Sequence, residues 1–203
     1  MAKIYIPDTE NGFINFPETI QGMFRTTSLI PYDKENCGAI EIKFGEYNLF
    51  LPKNINKKNQ KAIYNRLDRL CCKSTCKLFF SRSKQKLAEF METMYLYSDC
   101  DPRCEVAFKI YKNMSKKRRN SQEGDDLGRY LMMNGEKLIT MYINEDDKES
   151  LIDFLKLQLL TPEELRDIIS KESGKMSRDI KRCMVKAMRI AEEEYGLEER
   201  RAI

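Results

Sequence analysis

Short stretches of alternating apolar and polar residues dominate the first fifty positions of the chain, and such alternation is typical of half-buried strands. The predicted strands cover residues 3–6, 12–16, 39–44 and 47–51. Gly45 and Glu46 separate the last two strands, which predicts a hairpin. Residues 17–25 can form one helix between the strands. The N-terminal part of the chain is therefore predicted to be a small antiparallel β unit.

Helical periodicity replaces this alternation after Pro52. Apolar residues recur every three or four positions over 57 to about 80 and again over 84–97, which predicts two amphipathic helices. Asp101 and Pro102 are typical of an N-cap and of a first helical position, so a third helix is predicted to begin there. The middle of the chain is thus predicted to be helical.

The last part of the chain combines one strong hairpin signal with further helices. Asn134-Gly135 stands between two apolar-rich runs, 129–133 and 136–143, and this dipeptide is typical of a tight β-turn. Helices are predicted over about 146–160, from Thr161 with Glu164 completing a capping box, and from Ser177 to at least Tyr195 with Gly196 as C-cap. The predicted fold class is α+β and helix-dominant, with an N-terminal antiparallel β unit, a basic cysteine-rich helical middle, and a C-terminal β-hairpin plus helices.

The formal charge of +4 is unevenly distributed over the 203 residues. Residues 1–52 hold 4 basic and 7 acidic residues, residues 53–120 hold 18 and 6, and residues 121–203 hold 14 and 19. We predict three segments at these boundaries: an N-terminal β-rich unit, a basic helical segment with a cysteine cluster, and a hairpin followed by C-terminal helices. They are expected to form one or two compact domains, because a hydrophobic content of 41% suffices for a core.

Composition excludes several kinds of active site. The chain has no histidine, so it cannot form a Ser-His-Asp or Cys-His nucleophilic site, or supply the imidazole ligands of typical catalytic zinc. It contains neither of the glycine-rich motifs that cradle nucleotide phosphates. The first residues contain no long apolar core of a signal peptide, and the longest apolar runs are about a third of a membrane span, so a cytoplasmic protein without membrane attachment is expected.

Five of the seven cysteines fall in the basic segment, and four of them form two C-x3-C pairs. Residues four apart share one face of a helix, so these four side chains can supply a tetrahedral all-thiolate zinc site. The four candidate ligands are Cys72, Cys76, Cys100 and Cys104. The open alternative is that the thiols are small buried groups of a helical hairpin. The twin C-x3-C pattern also resembles the disulfide-linked helical hairpin of small mitochondrial intermembrane-space chaperones.

Basic side chains line the predicted helices of the middle segment. Four of them recur at helical spacing on the first predicted helix, which indicates one continuous stripe beside its apolar face. The predicted nucleic-acid-binding residues are Arg66, Arg69, Lys73, Lys77, Arg82, Lys84, Lys112, Lys116, Lys117, Arg118 and Arg119. Cations along a helix can neutralise phosphates, and each neutralised phosphate releases counterions. The alternative is a solvated helix surface whose last cations complement a helix end.

A separate pattern resembles the PD-(D/E)xK nucleases. Pro7-Asp8 is followed by Glu41 and Lys43 on a predicted strand. The resemblance implies that Asp8 and Glu41 would hold magnesium and that Lys43 would assist the attacking water. An exposed strand face without any catalytic role would show the same residues.

Residues 165–189 have the outline of a helix-turn-helix motif, with Gly174 between the two helices. In that interpretation Arg178, Lys181 and Arg182 would face a DNA groove. An ordinary helical hairpin shows the same pattern, so the sequence leaves both alternatives open.

These observations favour a non-enzymatic accessory protein that binds DNA, RNA or a nucleoprotein complex through its basic middle helices. The alternative from another class is an inhibitor from a phage or mobile element, of the anti-CRISPR or counter-defence type, which acts by contact with a nucleic-acid-processing nuclease complex. A magnesium-dependent nuclease of the PD-(D/E)xK type is a third hypothesis. Apart from the magnesium of this third hypothesis, zinc is the one cofactor that the sequence suggests.

Overall fold

The computed structural model describes residues 3–27, 39–53, 55–72, 77–98 and 103–201, and among these it describes all side chains but those of 27, 77–80 and 197–201. The chain divides into two compact units, Met1–Glu123 and Gly124–Ile203. Helices dominate the described residues of both units, and the first unit also contains a small three-stranded mixed sheet. This architecture is compatible with the predicted helix-dominant α+β class.

The sheet contains β1 (Lys3–Ile6), β2 (Ala39–Phe44) and β3 (Tyr47–Pro52) in that spatial order. β2 and β3 form the predicted hairpin, whose turn contains Gly45 at a φ of 56°. The prediction of a wholly antiparallel unit is wrong, because β1 runs parallel to β2 with Lys3 opposite Glu41. Parallel neighbours need a crossover connection, and two helices lie between β1 and β2 along the chain.

The two helices of this crossover are α1 (Glu10–Ile14) and α2 (Phe16–Thr27). The strand predicted over 12–16 is therefore wrong. Phe13, Phe16 and Ile20 are buried at spacings of three and four residues, which is the helical period. A window of five residues is too short to distinguish this period from strand alternation.

The other helices that lie wholly within the first unit are α3 (Lys57–Cys71), α4 (Lys77–Met91), α5 (Arg103–Asn113) and α6 (Lys116–Arg119), with a 3-10 turn at Met94–Tyr97. The prediction of one helix over 57–80 is wrong, because α3 ends at Cys71 and Cys72 adopts an extended conformation. The helix predicted over 84–97 is also wrong in its bounds, since the end of α4 and the 3-10 turn divide this stretch. The predicted helix start at 101–102 lies outside the described residues.

The second unit is helical in its described residues. Its helices are α7 (Gln122–Met133, which begins two residues before the unit boundary), α8 (Gly135–Asn144), α9 (Lys148–Leu155), α10 (Pro162–Glu172) and α11 (Arg178–Arg201). The hairpin predicted over 129–143 is wrong. Leu127 and Leu131 of α7 are buried four residues apart, and so are Leu138 and Tyr142 of α8, which is helical rather than strand periodicity.

Asn134 alone separates these two helices, and Gly135 is the first residue of α8, so the dipeptide does not form a β-turn. Gly135 is buried and does not adopt a left-handed conformation. A Cβ at this position would lie 2.7 Å from Cδ2 of Leu160. The glycine is therefore explained by close packing and not by turn geometry.

The start of α10 agrees with the predicted capping box. Thr161 Oγ1 accepts a hydrogen bond of 3.2 Å from the Glu164 N–H, and the Thr161 N–H donates one of 2.8 Å to the Glu164 carboxylate. Pro162 occupies the first helical position. The C-cap predicted at Gly196 is wrong, because α11 continues through this residue to Arg201.

We expect opposite effects on stability from alanine at two helical glycines. A Cβ at Gly12 would lie 2.1 Å from the backbone oxygen of Pro7, so Gly12→Ala should lower the free energy of unfolding by about 1–3 kcal/mol. A Cβ at Gly22, inside α2, meets nothing within 4 Å, so Gly22→Ala should raise it by about 0.5–1 kcal/mol. Urea denaturation followed by circular dichroism measures both changes. A Gly12→Ala variant as stable as the native chain would contradict the packing around Gly12, and a destabilised Gly22→Ala variant would contradict the open surroundings of Gly22.

Candidate nucleic-acid interface

Two neighbouring helices of the first unit, α3 and α4, present basic side chains to solvent. Arg66 and Arg69 lie one turn apart on α3, and both are exposed. Arg82 and Lys86 lie one turn apart on α4, and both are exposed as well. α3 packs against α4, so the two pairs belong to one region of the first unit. We name these four side chains the α3–α4 surface.

Burial of the other helix faces explains this exposure. Ile63, Leu67 and Cys71 are buried at intervals of four residues along α3. Leu87 and Met91 are buried four residues apart on α4. An apolar stripe that enters the core fixes the rotation of its helix, so the polar stripe is held toward solvent.

A cation–ring contact joins the two basic faces. The guanidinium carbon of Arg66 lies 5.8 Å from the centre of the Phe90 ring, and Phe90 stands one turn beyond Lys86 on α4. The Phe90 ring meets the Tyr97 ring edge to face, with centres 6.2 Å apart and an interplanar angle of 73°. Both rings are only partly buried. The basic face of α3 therefore lies beside that of α4, next to two partly accessible aromatic rings.

Within the described part of the chain, none of the four cations of the α3–α4 surface makes an ion pair. Glu89 lies on the same face of α4 but accepts a hydrogen bond from Gln85 and lies 3.9 Å from Arg118. Asp68 is the one acidic residue in the sequence of α3. At 100° per residue it points about 160° away from Arg66. The guanidinium Nε of Arg69 donates to the Asn65 carbonyl of the preceding turn at 3.0 Å, which orients the side chain without neutralising it.

Arg118, by contrast, is bound within the fold. Its guanidinium donates through Nε and Nη2 to the two carboxylate oxygens of Glu92, and it lies 3.9 Å from a Glu89 oxygen and 3.6 Å from a Glu123 oxygen. Burial raises the pKa of Glu92 above its ordinary value, although the hydrogen bond and charge of Arg118 act to lower it. The hydrogen bond to Glu92 in turn raises the pKa of Arg118. Arg118 thereby ties α6 to α4.

Two more of the predicted binding cations are also engaged inside the first unit. Arg119 donates to the Tyr111 carbonyl at 3.1 Å and to the Lys112 carbonyl at 2.9 Å, and its guanidinium carbon lies 5.1 Å from the centre of the Tyr111 ring. Lys84 Nζ lies 2.8 Å from an Asp8 carboxylate oxygen, which links α4 to the segment after β1. Side chains with such partners are less available to phosphates than those of the α3–α4 surface.

Of the remaining predicted cations, three are exposed and two have side chains that the structure does not describe. Lys112, Lys116 and Lys117 are exposed. Lys73 lies outside the described residues, and the side chain of Lys77 is not described. The prediction of a four-residue stripe on one helix is wrong, because α3 ends before Lys73. The basic surface instead extends from the cations of α3 to those of the neighbouring helix α4.

Two residues of the candidate interface, Lys86 of the α3–α4 surface and the neighbouring Phe90, are absent from the predicted set of binding residues. Lys86 and Phe90 lie four and eight residues after Arg82, so helical spacing alone places all three on one face of α4. Phe90 fits the apolar period of its helix and therefore suggests a core residue. Only the contact with Arg66 shows that its ring belongs to the basic face.

The sheet holds the residues of the nuclease-like pattern apart. Its parallel register places Lys3 opposite Glu41, and the two side chains form an ion pair of 3.2 Å. Burial acts to raise the pKa of Glu41, but the hydrogen bond and charge of Lys3 help to lower it overall. Asp8 follows the other end of β1 and pairs with Lys84, while Lys43 is exposed. Within the described residues, no group of three or more acidic or cysteine side chains is arranged to hold a metal ion.

The cysteines of the predicted zinc site are only partly described. Cys72 is exposed at the end of α3, and Cys104 is buried in the first turn of α5. Cys76 and Cys100 lie outside the described residues, so the zinc site stays a prediction. Burial raises the pKa of the neighbouring Cys71 thiol to about 12, which keeps this group protonated and unreactive at neutral pH.

No family model, no curated protein and no solved structure matches this chain. Over the residues that the structure describes, no helix combines the length and the apolar character needed to cross a bilayer. The functional conclusion therefore rests on geometry and charge.

Arg118→Gln tests whether this cation serves the fold. The substitution leaves the partly buried Glu92 carboxylate without its cation, so we expect the free energy of unfolding to fall by about 1–3 kcal/mol near neutral pH. The raised pKa of Glu92 means that the folded state binds its proton more tightly than the unfolded state does. The loss should therefore shrink as the pH falls through the raised pKa, because protonation removes the buried charge.

Urea denaturation at about pH 7 and about pH 5 measures this change. Lys116→Gln, an exposed cation on the same helix, is the matched control and should change the free energy of unfolding by less than about 0.5 kcal/mol. A loss that grows on acidification, or an equal loss in the control, would contradict the proposed role of the Arg118–Glu92 pair.

Proposed function

We propose that the chain is an accessory protein that binds nucleic acid through the α3–α4 surface. Phosphates contact its four cations, and unpaired bases stack beside Phe90 and Tyr97. The observation that supports this proposal is the placement of four exposed cations, which make no ion pair with any described residue, beside a partly accessible aromatic pair. Such a combination is what single-stranded nucleic acid requires, since its backbone is anionic and its bases are exposed.

Both the first unit as a whole and the two helices of the proposed interface carry an excess of positive charge, which favours an anionic partner. Met1–Glu123 holds 22 basic and 14 acidic residues. Within it, α3 carries five basic residues and one acidic residue, and α4 carries four and one. A neutral solvated helix surface would instead mix both signs. The excess of positive charge therefore lies on the helices that form the proposed interface.

The spacing of the cations suits an extended polyanion. Arg66 and Arg69 are one helical turn apart, as are Arg82 and Lys86, and a turn advances about 5 Å along the helix axis. Phosphates bound along both helices would release counterions, so the affinity must fall as salt concentration rises.

The aromatic rings favour single strands over duplexes. Stacking of a base on an aromatic side chain contributes about 1–3 kcal/mol and tolerates any sequence, because every base has a π face. Bases in a duplex are already stacked on one another and cannot reach Phe90 or Tyr97. The guanidinium of Arg66, which lies over Phe90, can extend the same stacking platform.

The test replaces the four cations of the α3–α4 surface together by glutamine. Fluorescence anisotropy with a labelled single-stranded oligonucleotide, as DNA and as RNA, measures the affinity over a range of salt concentrations. We expect at least about a tenfold loss of affinity at low salt. The slope of log affinity against log salt should decrease by about 2–3, because each phosphate contact to a single strand contributes about 0.7.

The control variant combines Arg129→Gln, Lys137→Gln, Lys156→Gln and Lys171→Gln, which removes the same charge from exposed positions of the second unit. We expect its affinity for single strands to stay within about twofold of the native value, because these side chains lie outside the proposed interface. Equal losses in the two variants, binding that does not respond to salt, or no binding of either nucleic acid would show that the α3–α4 surface does not have this function.

A further inference from the structure

α11 carries a second concentration of positive charge, although its unit is acidic overall. Gly124–Ile203 holds 14 basic and 18 acidic residues. Residues 178–191 nevertheless contain five basic residues and one acidic residue, whereas residues 192–199 contain five glutamates and no basic residue. The sequence of α11 thus changes from basic to acidic along one continuous helix.

Four of these cations share one exposed face, which we name the α11 basic face. Its members are Arg178, Arg182, Lys186 and Arg189. At 100° per residue they fall within an arc of about 80°. Ile180, Met184 and Ala191 are buried and lie on the opposite side of the helix. Core packing therefore holds the α11 basic face toward solvent.

Two acidic residues beside this face form ion pairs with cations elsewhere in the unit, while Glu193 lies on the face itself, one turn after Arg189. Asp179 forms an ion pair of 3.0 Å with Lys148, and Glu192 forms one of 2.7 Å with Arg166. The hydrogen bond and charge of Lys148 lower the pKa of Asp179, with a smaller contribution from the charge of Arg182. Within the described residues, the four cations of the α11 basic face make no ion pair. Asp179 offsets part of the Arg182 charge and Glu193 lies next to Arg189, but four cations against these two carboxylates leave a positive face for a partner.

The dimensions of the face fit duplex DNA. It extends over eleven residue steps, which is about 16 Å along the helix and about five base pairs of B-DNA. The major groove of B-DNA is about 12 Å wide and admits an α-helix, whereas the deep, narrow major groove of A-form RNA does not. The glutamates from position 192 onward would meet phosphates, so only the N-terminal half of α11 can approach the groove.

We propose that the α11 basic face binds in the major groove of duplex DNA. Three of its four members are arginines, which can pair bidentately with guanine O6 and N7 or with phosphate oxygens. The connection between α10 and α11 has five residues, 173–177, and is longer than the usual turn of a helix-turn-helix. The proposal therefore rests on α11 itself and is independent of the α3–α4 surface, because it uses different residues in the other unit.

The test replaces the four cations of the α11 basic face by glutamine in the full chain that already carries the α3–α4 substitutions. This background prevents one surface from substituting for the other. With a labelled mixed-sequence duplex of about 20 base pairs, we expect at least about a tenfold further loss of affinity. The salt slope should decrease by about 0.9 for each of the four cations that contacts a phosphate of B-DNA, and therefore by about 3–4 at most. Unchanged circular dichroism would show that α11 still forms.

Protection from dimethyl sulfate shows which groove the protein occupies, because this reagent methylates guanine N7 in the major groove and adenine N3 in the minor groove. The chain with only the α3–α4 substitutions should protect guanine N7, and the added α11 substitutions should abolish this protection. The charge-matched control substitutions in the second unit, introduced into the same background, should retain it.

Duplex affinity that survives the α11 substitutions, or protection confined to adenine N3, would overturn the proposal. Equal binding of polyglutamate through the same four cations would also overturn it, because it would indicate an acidic protein partner. The two proposals fail separately. The α3–α4 surface is judged by single-stranded oligonucleotides, and the α11 basic face by duplex DNA and guanine N7.

Discussion

The packing of Phe13 and Phe16 against Phe44 is the contact on which the first unit depends. The Phe44 ring centre lies 6.1 Å from that of Phe13 and 5.8 Å from that of Phe16, and all three side chains are buried. This cluster fixes the crossover helices α1 and α2 on one face of the sheet and accounts for the parallel pairing of β1 with β2. α3 then packs on α2, and α4 packs on α3. The direction in which α3 and α4 present their cations therefore follows from the aromatic core.

The partner of a cation decides its role more than the charge of its sequence neighbours does. Arg118 stands in a run of four basic residues, yet it forms a charge-assisted pair with the partly buried Glu92, which lies 26 residues away. Arg66 contacts the Phe90 ring, which orients the guanidinium but does not neutralise it. The sequence reveals that both cations belong to amphipathic helices. It cannot reveal these pairings, because the partners are distant along the chain.

Local signals predict the elements whose stability is local. The β2–β3 hairpin and the capping box at Thr161 are recognisable because turn and cap residues satisfy backbone groups within a few positions. Asn134-Gly135 shows where such signals fail. Its turn preference is overridden by the burial of α7 and α8, and its glycine packs closely against Leu160, twenty-five residues later. The parallel placement of β1 likewise depends on the packing of two helices and not on any property of the strand.

The clustering of like charges on two helices needs an explanation beyond stability. Arg82 and Lys86 on α4 are spaced at i and i+4, as are Arg178, Arg182 and Lys186 on α11. Opposite charges at this spacing stabilise a helix by about 0.2–0.5 kcal/mol per pair, and like charges destabilise it by similar amounts. Stability alone would favour alternating signs on these exposed faces, and the sequence contains 32 acidic residues that could supply them. Binding of an anionic partner makes the cluster of like charges favourable, because each bound phosphate relieves the repulsion between the cations and releases counterions. The separation of charge is therefore better explained by binding than by folding.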